Sequence, residues 1–486
     1  MVMKNLAIRV DAGTSLGMGH LMRCYSIAQL ARANHRIHFF LMETDEPVRQ
    51  FLDRHGLAYT FLPRTTNELA DAEHFIQHLN ASCTVLLDSY SLKTEWQKHI
   101  KRAGHRLIVI DDLHAWHHVA DDIINHSGGL TEDAYSRETY TRLHLGYGFR
   151  MLRPSFMQGP AIRTDQPQFP GRVIISMGAS DVPNNTLKIA NACLTLSPLS
   201  SIQLLVSRLN PHFENITTWT KEHAARVTLF VDLDDRALYD LMAKSDTLIC
   251  PASTIALEGC SVGMIVLVGI TAENQVDNYW GLVNAGVAAA LGDLNNAMEA
   301  DLHQNLKEIL AHPENNSAQM ANQKDVFRPL QHELAQVFED PYSLRTACEN
   351  DVVLLFEWTN DPLVRANSFH SNPIAESEHI QWFNAKIADP NTCILIMQLN
   401  DTPVGVLRIA MQGSTAVINY SISQQYRGQS LGKKILALGE DYLRSHFQHI
   451  HRLEGYVKPS NTASIKSFVG YQQTEVDGAI LFYKLL

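Results

Sequence analysis

Nothing in the 486 residues approaches 18 consecutive apolar side chains, which removes a membrane-spanning helix from consideration. The N-terminus shows no basic stretch followed by an apolar core, so no secretory leader is read and the expected location is cytoplasmic. Cysteine is sparse: seven residues, at positions 24, 83, 193, 250, 260, 348 and 393, are odd in number, dispersed and never arranged as a CxxC pair. That excludes a disulfide framework and fits reduced, mostly buried thiols. Positive charge is also short. Forty Lys and Arg against 51 Asp and Glu leave a net charge of -11, the wrong sign for tracking phosphates, so no nucleic-acid partner is expected.

What is present is ordinary globular composition, 45% hydrophobic and 19% charged, in a chain too long for one core. Three domains are expected. From residue 6 to about 125, short β-rich runs (Leu6 to Val10, Ile37 to Leu41, Thr84 to Asp88, Leu107 to Asp111) alternate with helical patterns, the signature of a parallel sheet. A proline- and glycine-containing stretch from Arg153 to Gly171 lacks periodicity and reads as a linker. A second alternating set follows, with strands expected at Val173 to Met177, Ile202 to Val206, Val227 to Val231, Thr247 to Cys250 and Ile265 to Val268. Residues 296 to 338 are helical and polar. The rest changes character, with helices first and then strands at Thr392 to Leu399, Val404 to Ala410 and Ala416 to Ser423, an α+β pattern. The expected domains are residues 1–158, 165–335 and 341–486.

The stretch Arg9-Val-Asp-Ala-Gly-Thr-Ser-Leu-Gly-Met-Gly-His20 places an imidazole where a first strand gives way, through a glycine-rich turn, to a helix. In open α/β sheets this crevice binds ligands, and the helix N-terminus favours anions over a charged imidazole. His20 is either a neutral base or a cap for backbone amides. In the second domain, Ile249-Cys-Pro-Ala-Ser253-Thr254-Ile-Ala-Leu-Glu258 ends a strand and opens a helix with hydroxyl residues. Free amides there suit a phosphate, and a Glu one turn on can accept two hydrogen bonds from a ribose diol; the alternative is an ordinary N-cap. The turn Ser176-Met-Gly178-Ala-Ser180-Asp181 lies on the same sheet edge. Asp111, Asp112, His114, His117, His118, Asp121 and Asp122 crowd ligand-type side chains together, but their spacing matches no common zinc pattern and no metal is expected.

Six ordered segments carry a family resemblance: Arg9 to His20, Leu87-Asp88-Ser89-Tyr90, Ile110-Asp111-Asp112, Leu145 to Phe156, Ser176 to Asp181, and Glu273-Asn274-Gln275. Together they resemble the UDP-2,4-diacetamido-2,4,6-trideoxy-β-L-altropyranose hydrolases of pseudaminic acid biosynthesis, over roughly residues 5 to 335. The resemblance implies a GT-B pair of Rossmann-type domains in which water attacks the anomeric carbon, UDP leaves and configuration inverts. It implies that His20 activates the water, that Ser253 and Thr254 hold the pyrophosphate and Glu258 the ribose, and that Tyr90 and Asn274 meet the sugar or the water. Gly19 and Gly178 belong to the same binding turns. Asp11 is a sugar ligand or an orienting partner for a nearby loop.

In the third domain, Gln424-Gln-Tyr-Arg427-Gly428-Gln-Ser430-Leu-Gly432-Lys-Lys opens a long helical pattern with small residues, leaving amides for a pyrophosphate. This resembles the acetyl-CoA loop of the GNAT N-acetyltransferases, with Ser430 in place of a glycine. Downstream, Val457 to Tyr471 resembles that family's second CoA-side segment, which makes Asn461 the expected cofactor contact. Phe468 stands where the family often has a tyrosine as general acid; Tyr471 and Tyr483 are the substitutes in view. Trp358, Asn360, Asp361, Arg365, Phe369, His379 and Trp382 either line an acceptor pocket or are core aromatics and solvated charges. The resemblances jointly imply an α/β GT-B-like pair followed by an α+β GNAT domain, with acetyl-CoA as co-substrate and a UDP-amino sugar and UDP as partners.

Overall fold

A computed structural model describes residues 3–13, 18–42, 46–79, 83–157, 167, 169–178, 181–197, 199–328, 333–429 and 431–486. Ser180, Ser430, residues 14–17 of the glycine-rich turn and most of the proline stretch lie outside the described residues. The chain forms two compact units, Met1–Phe338 and Glu339–Leu486.

The first unit holds two sheets. One comprises β1 (Lys4–Val10), β2 (His35–Met42), β3 (Tyr59–Leu62), β4 (Thr84–Asp88), β5 (Arg106–Ile110), β6 (Asp122–Asn125) and β7 (Arg142–Leu145), in the order β3-β2-β1-β4-β5-β6-β7. Every pair is parallel. The central strands carry continuous apolar stretches, such as Val85 to Leu87 and Leu107 to Ile110, because both faces are covered. Leu6, Ile8 and Val10 pack with Leu21, Cys24 and Ile27 of the helix Gly19–Ala31 on one face. Ala7, Val85 and Leu87 pack with Phe75 and Trp96 on the other. The second sheet is built the same way from β8 (Gly171–Ile175), β9 (Leu199–Val206), β10 (Val227–Val231), β11 (Thr247–Pro251), β12 (Ile265–Ile270) and β13 (Ala289–Asp293), in the parallel order β10-β9-β8-β11-β12-β13. Two such Rossmann-like sheets are consistent with GT-B. Chain direction across each sheet reverses once, at β1/β4 and at β8/β11, which opens a crevice at the strands' carboxyl ends.

The second unit is α+β. Its sheet comprises β14 (Tyr342–Thr346), β15 (Thr392–Leu399), β16 (Thr402–Gln412), β17 (Thr415–Ile422), β18 (Arg452–Val457), β19 (Gln472–Val476) and β20 (Ala479–Leu485), in the order β14-β15-β16-β17-β18-β20-β19. Only β17 and β18 run parallel. The expectation that helices come first is corrected: β14 precedes them, a five-residue edge strand made regular by its antiparallel register on β15. Pairing of β17 with β18 ends at Ile418 and Gly455 although both strands continue, so their carboxyl halves part.

Candidate active sites

Both switch points of the first unit face one cavity of about 250 Å³. Its wall takes Gly19, His20 and Arg23 from the helix after β1, and Tyr90 from the loop after β4. Asp112 follows β5, and His126 and Ser127 follow β6. The second sheet contributes Ser253 and Thr254 after β11, with Asn274 and Asn278 after β12. The sequence-expected residues His20, Gly19, Tyr90, Ser253, Thr254 and Asn274 thus meet in one wall.

His20 is the second residue of its helix and 7% exposed. Its Nδ1 stands 2.5 Å from Oδ1 of Asp88, the last residue of β4. Arg23 Nη2 lies 3.0 Å from the same Nδ1 but donates more closely to Asp88 Oδ1 at 2.7 Å; since a carboxylate only accepts, the shorter Asp88 contact takes its proton from Nδ1 and leaves Nε2 as the basic nitrogen. Arg23, one turn along the helix, donates to both Asp88 oxygens and to Oδ2 of Asp112. Burial works against the Asp88 charge, but Arg23 and His20 outweigh it and hold this carboxyl well below the usual range. The same carboxylates keep the buried Arg23 charged. A permanent anion therefore backs the imidazole, which the helix-dipole reading of His20 alone did not include.

Tyr90 meets His20 edge to face at 4.5 Å between ring centroids. Its hydroxyl donates to Asp112 at 2.9 Å and accepts from Asn274 Nδ2 at 2.8 Å, joining the two sheets across the cavity. Burial pushes its phenol up, and Asp112 adds to the effect. His126 is buried with Nδ1 unpartnered, and burial together with Arg23 lowers its imidazole to about 4.

Ser253 occupies the N-cap position of the helix Thr254–Val262, yet its side chain makes no capping bond. Its hydroxyl is thus not spent on the first-turn amides, and Ser253 and Thr254 both line the cavity. Gly178 has φ +80, a left-handed turn that suits glycine, and Asp181 caps the next helix by accepting from Asn185 and Thr186.

Three expected binding residues stand outside this wall: Gly178, Glu258 and Asp11. Glu258 is buried, and its two oxygens accept from Arg153 Nε and Nη2 at 2.7 and 2.5 Å. Asp11 accepts from Arg9 at 2.9 Å, from Ser89 at 2.5 Å and from Ser91 at 3.2 Å. Of its two readings, this geometry is that of the loop-orienting partner. The acidic and histidine-rich segment after β5 disperses: Asp111 pairs with His118, Asp112 with Arg23, His114 with Asp277, Asp121 with Lys101 and Asp122 with Arg106.

The second unit carries a cavity of about 710 Å³ in the opening between β17 and β18. Arg427, Gly428, Gly432 and Asn461 all line it; Ser430 lies outside the described residues. Gly428 has φ +83. Gly432 is the second residue of the helix Leu431–His446, and a Cβ there would press on Ser467 and the Tyr420 hydroxyl. The Arg427 guanidinium is taken by Asp361 at 2.8 Å, leaving the backbone amides as that loop's anion donors. Asn461 uses its side-chain oxygen to accept from the Ser464 amide. Of the residues expected at an acceptor pocket, Phe369 lines this cavity, beside Leu363 and Ser368, while Trp358, Asn360, Asp361, Arg365, His379 and Trp382 are not in its wall; Arg408 lies over Trp382 and bonds Thr359.

Residues 353–471 match the acetyltransferase (GNAT) family. The whole chain is 20% identical to the uncharacterized protein MJ1062 of Methanocaldococcus jannaschii, with 97% of each chain covered. Among solved structures it is similar to the aminoglycoside acetyltransferase AAC(6')-Ib in complex with ribostamycin and coenzyme A, at 18% identity and TM-score 0.28, covering 30% of this chain and 94% of that one. It is also similar to a spermidine N-acetyltransferase from Vibrio cholerae in complex with CoA and spermine, at 13% identity and TM-score 0.28, covering 30% and 96%. No helix among the described residues is long and apolar enough to cross a membrane. The C-terminal unit is thus a GNAT acetyltransferase domain, preceded in the chain by two parallel α/β sheets.

Proposed function

We propose that the chain carries out two consecutive steps on one nucleotide-linked sugar. The GNAT domain transfers acetyl from acetyl-CoA to the 4-amino group of a UDP-4-amino-4,6-dideoxy-N-acetyl-altrosamine. The first unit then hydrolyses the resulting UDP-2,4-diacetamido-2,4,6-trideoxyhexose. In that hydrolysis water attacks C1, its proton passes to His20 Nε2, the bond from C1 to the phosphate oxygen breaks with inversion, and UDP departs. The amides at Ser253 and Thr254 take the charge that develops on the leaving diphosphate. Asp88 fixes the imidazole and stabilises it once protonated, while Tyr90 and Asn274 meet the sugar or the incoming water.

One observation carries this reading: His20, backed by the buried Asp88, and the N-terminal residues Ser253 and Thr254 of the helix Thr254–Val262 line the same small cavity. A base and an anion site on one cavity are what cleavage of a sugar-diphosphate bond needs. The test supplies the full chain with the UDP-amino sugar and acetyl-CoA and follows CoA thiol and UDP separately. Both products are expected in water alone. UDP release only when a second sugar is added would instead identify a glycosyltransferase.

A further inference from the structure

Acetyl transfer to an amine forms a C–N bond and breaks the C–S bond of the thioester, and the sulfur leaves as a thiolate. In a cavity partly shielded from water that charge is costly, so a proton donor must stand beside the sulfur. Phe468 has no proton to give. Its ring stacks on Phe482 at 4.7 Å and presses on Gly455, which makes it part of the core. Tyr471 is outside the cavity wall, and its hydroxyl is committed to Glu440 at 2.8 Å. Tyr483 is also outside the wall, with its ring under Arg452. Tyr456 lines the wall but turns its hydroxyl to Glu454 and is 40% exposed.

Tyr420 differs from these. It lies on β17 two residues beyond the last pair with β18, in the half where the strands part. Its hydroxyl is 3.2 Å from Ser464 Oγ and 3.0 Å from where a Cβ on Gly432 would sit. That position is between the two segments that line the cavity from the helices Leu431–His446 and Thr462–Ile465. We propose that the Tyr420 hydroxyl, held by Ser464, gives its proton to the departing CoA sulfur. The proposal rests on the acetyl-transfer reading above. The surplus proton of the attacking amine passes to water, and water returns a proton to the phenolate. Burial raises the Tyr420 phenol above its ordinary value, with Ser464 partly offsetting it, so the hydroxyl keeps its proton at neutral pH until sulfur leaves.

The test uses the full chain with acetyl-CoA and the UDP-4-amino sugar, reading thiol release together with acetyl-CoA affinity by calorimetry. Tyr420→Phe is expected to lower kcat about 10²-fold, with acetyl-CoA affinity unchanged and the alkaline fall of the kcat profile lost. Ser464→Ala is expected to lower kcat less, again with affinity kept. Tyr471→Phe is expected to keep kcat. Tyr426 also lines the cavity wall, from the turn before Arg427. An unchanged kcat in Tyr420→Phe, affinity that falls in step with activity, or a loss confined to Tyr426→Phe overturns the assignment while leaving acetyl transfer intact. No thiol from the wild-type chain overturns the acetyl-transfer reading and the assignment with it.

Discussion

Asp88 bears more than one duty in a position with no solvent exposure: it orients His20 and neutralises Arg23. Asp88→Asn should therefore do two measurable things. UDP release should fall by a factor of roughly 10² or more, because the amide no longer fixes the basic nitrogen. Stability to urea should drop by about 3 kcal/mol, because Arg23 is left buried with Asp112 alone. Since the folded Asp88 carboxyl is depressed, its contribution is present above the ordinary carboxylate range and is lost as pH falls below it. His126 acts in a different window. Its folded value of about 4 lies below the ordinary histidine value near 6.5, so the unfolded chain takes up the proton first and stability declines as pH falls between the two. His126→Asn should flatten that decline by about 2 kcal/mol, measured as unfolding free energy at pH 7 and pH 4.5. His20, Ser253 and Thr254 were readable from sequence because a polar residue just past a buried strand marks a crevice. Arg23 and His126 were not, since an arginine inside a helix pattern and a histidine after a short strand look solvated until the fold buries them. Glu258 illustrates the opposite limit: its spacing from Ser253 was right for a ribose, but Arg153, 105 residues away, occupies both oxygens.

Among elements, the long apolar strands were legible and the short ones were not. Thr84–Asp88, Val227–Val231 and Thr392–Leu399 have the expected bounds because continuous apolar or β-branched runs leave no other stable choice. β6 and β7 escaped notice at four residues each, because Asp122 and Arg142 interrupt the apolar signal; the fold accommodates Asp122 by pairing it with Arg106, Arg142 and His144. The joint between the two sheets of the first unit depends on glycine. Gly281, in the helix Val276–Asn284, lies so close to the Gly128 backbone that a Cβ would collide with its carbonyl, and neither partner has a side chain that could turn aside. Gly281→Ala should cost about 1–3 kcal/mol in stability. It should also lower UDP release by weakening the nearby Tyr90–Asn274 bond, while thiol release stays unchanged; thermal unfolding and the paired product assay read both. Gly432→Ala should act first on thiol release, raising KM for acetyl-CoA and lowering kcat as Ser467 and Tyr420 are pushed from their places, with UDP release falling only as less acetylated sugar is supplied.

At the scale of the whole molecule, the two compact units have separate hydrophobic cores and separate cavities, about 250 Å³ in one and about 710 Å³ in the other. The chemistry assigned to each uses none of the other's residues, so hydrolysis should be removable without touching acetyl transfer, whereas loss of acetyl transfer withholds the sugar that hydrolysis consumes. The direct test of the account follows UDP and CoA thiol together from acetyl-CoA and the UDP-4-amino sugar, for the wild-type chain and for His20→Ala. The account predicts that His20→Ala loses UDP release, releases thiol at the wild-type rate and accumulates the acetylated UDP-sugar. UDP release that survives in His20→Ala, or thiol release that disappears with it, would contradict the assignment of hydrolysis to the His20–Asp88 pair.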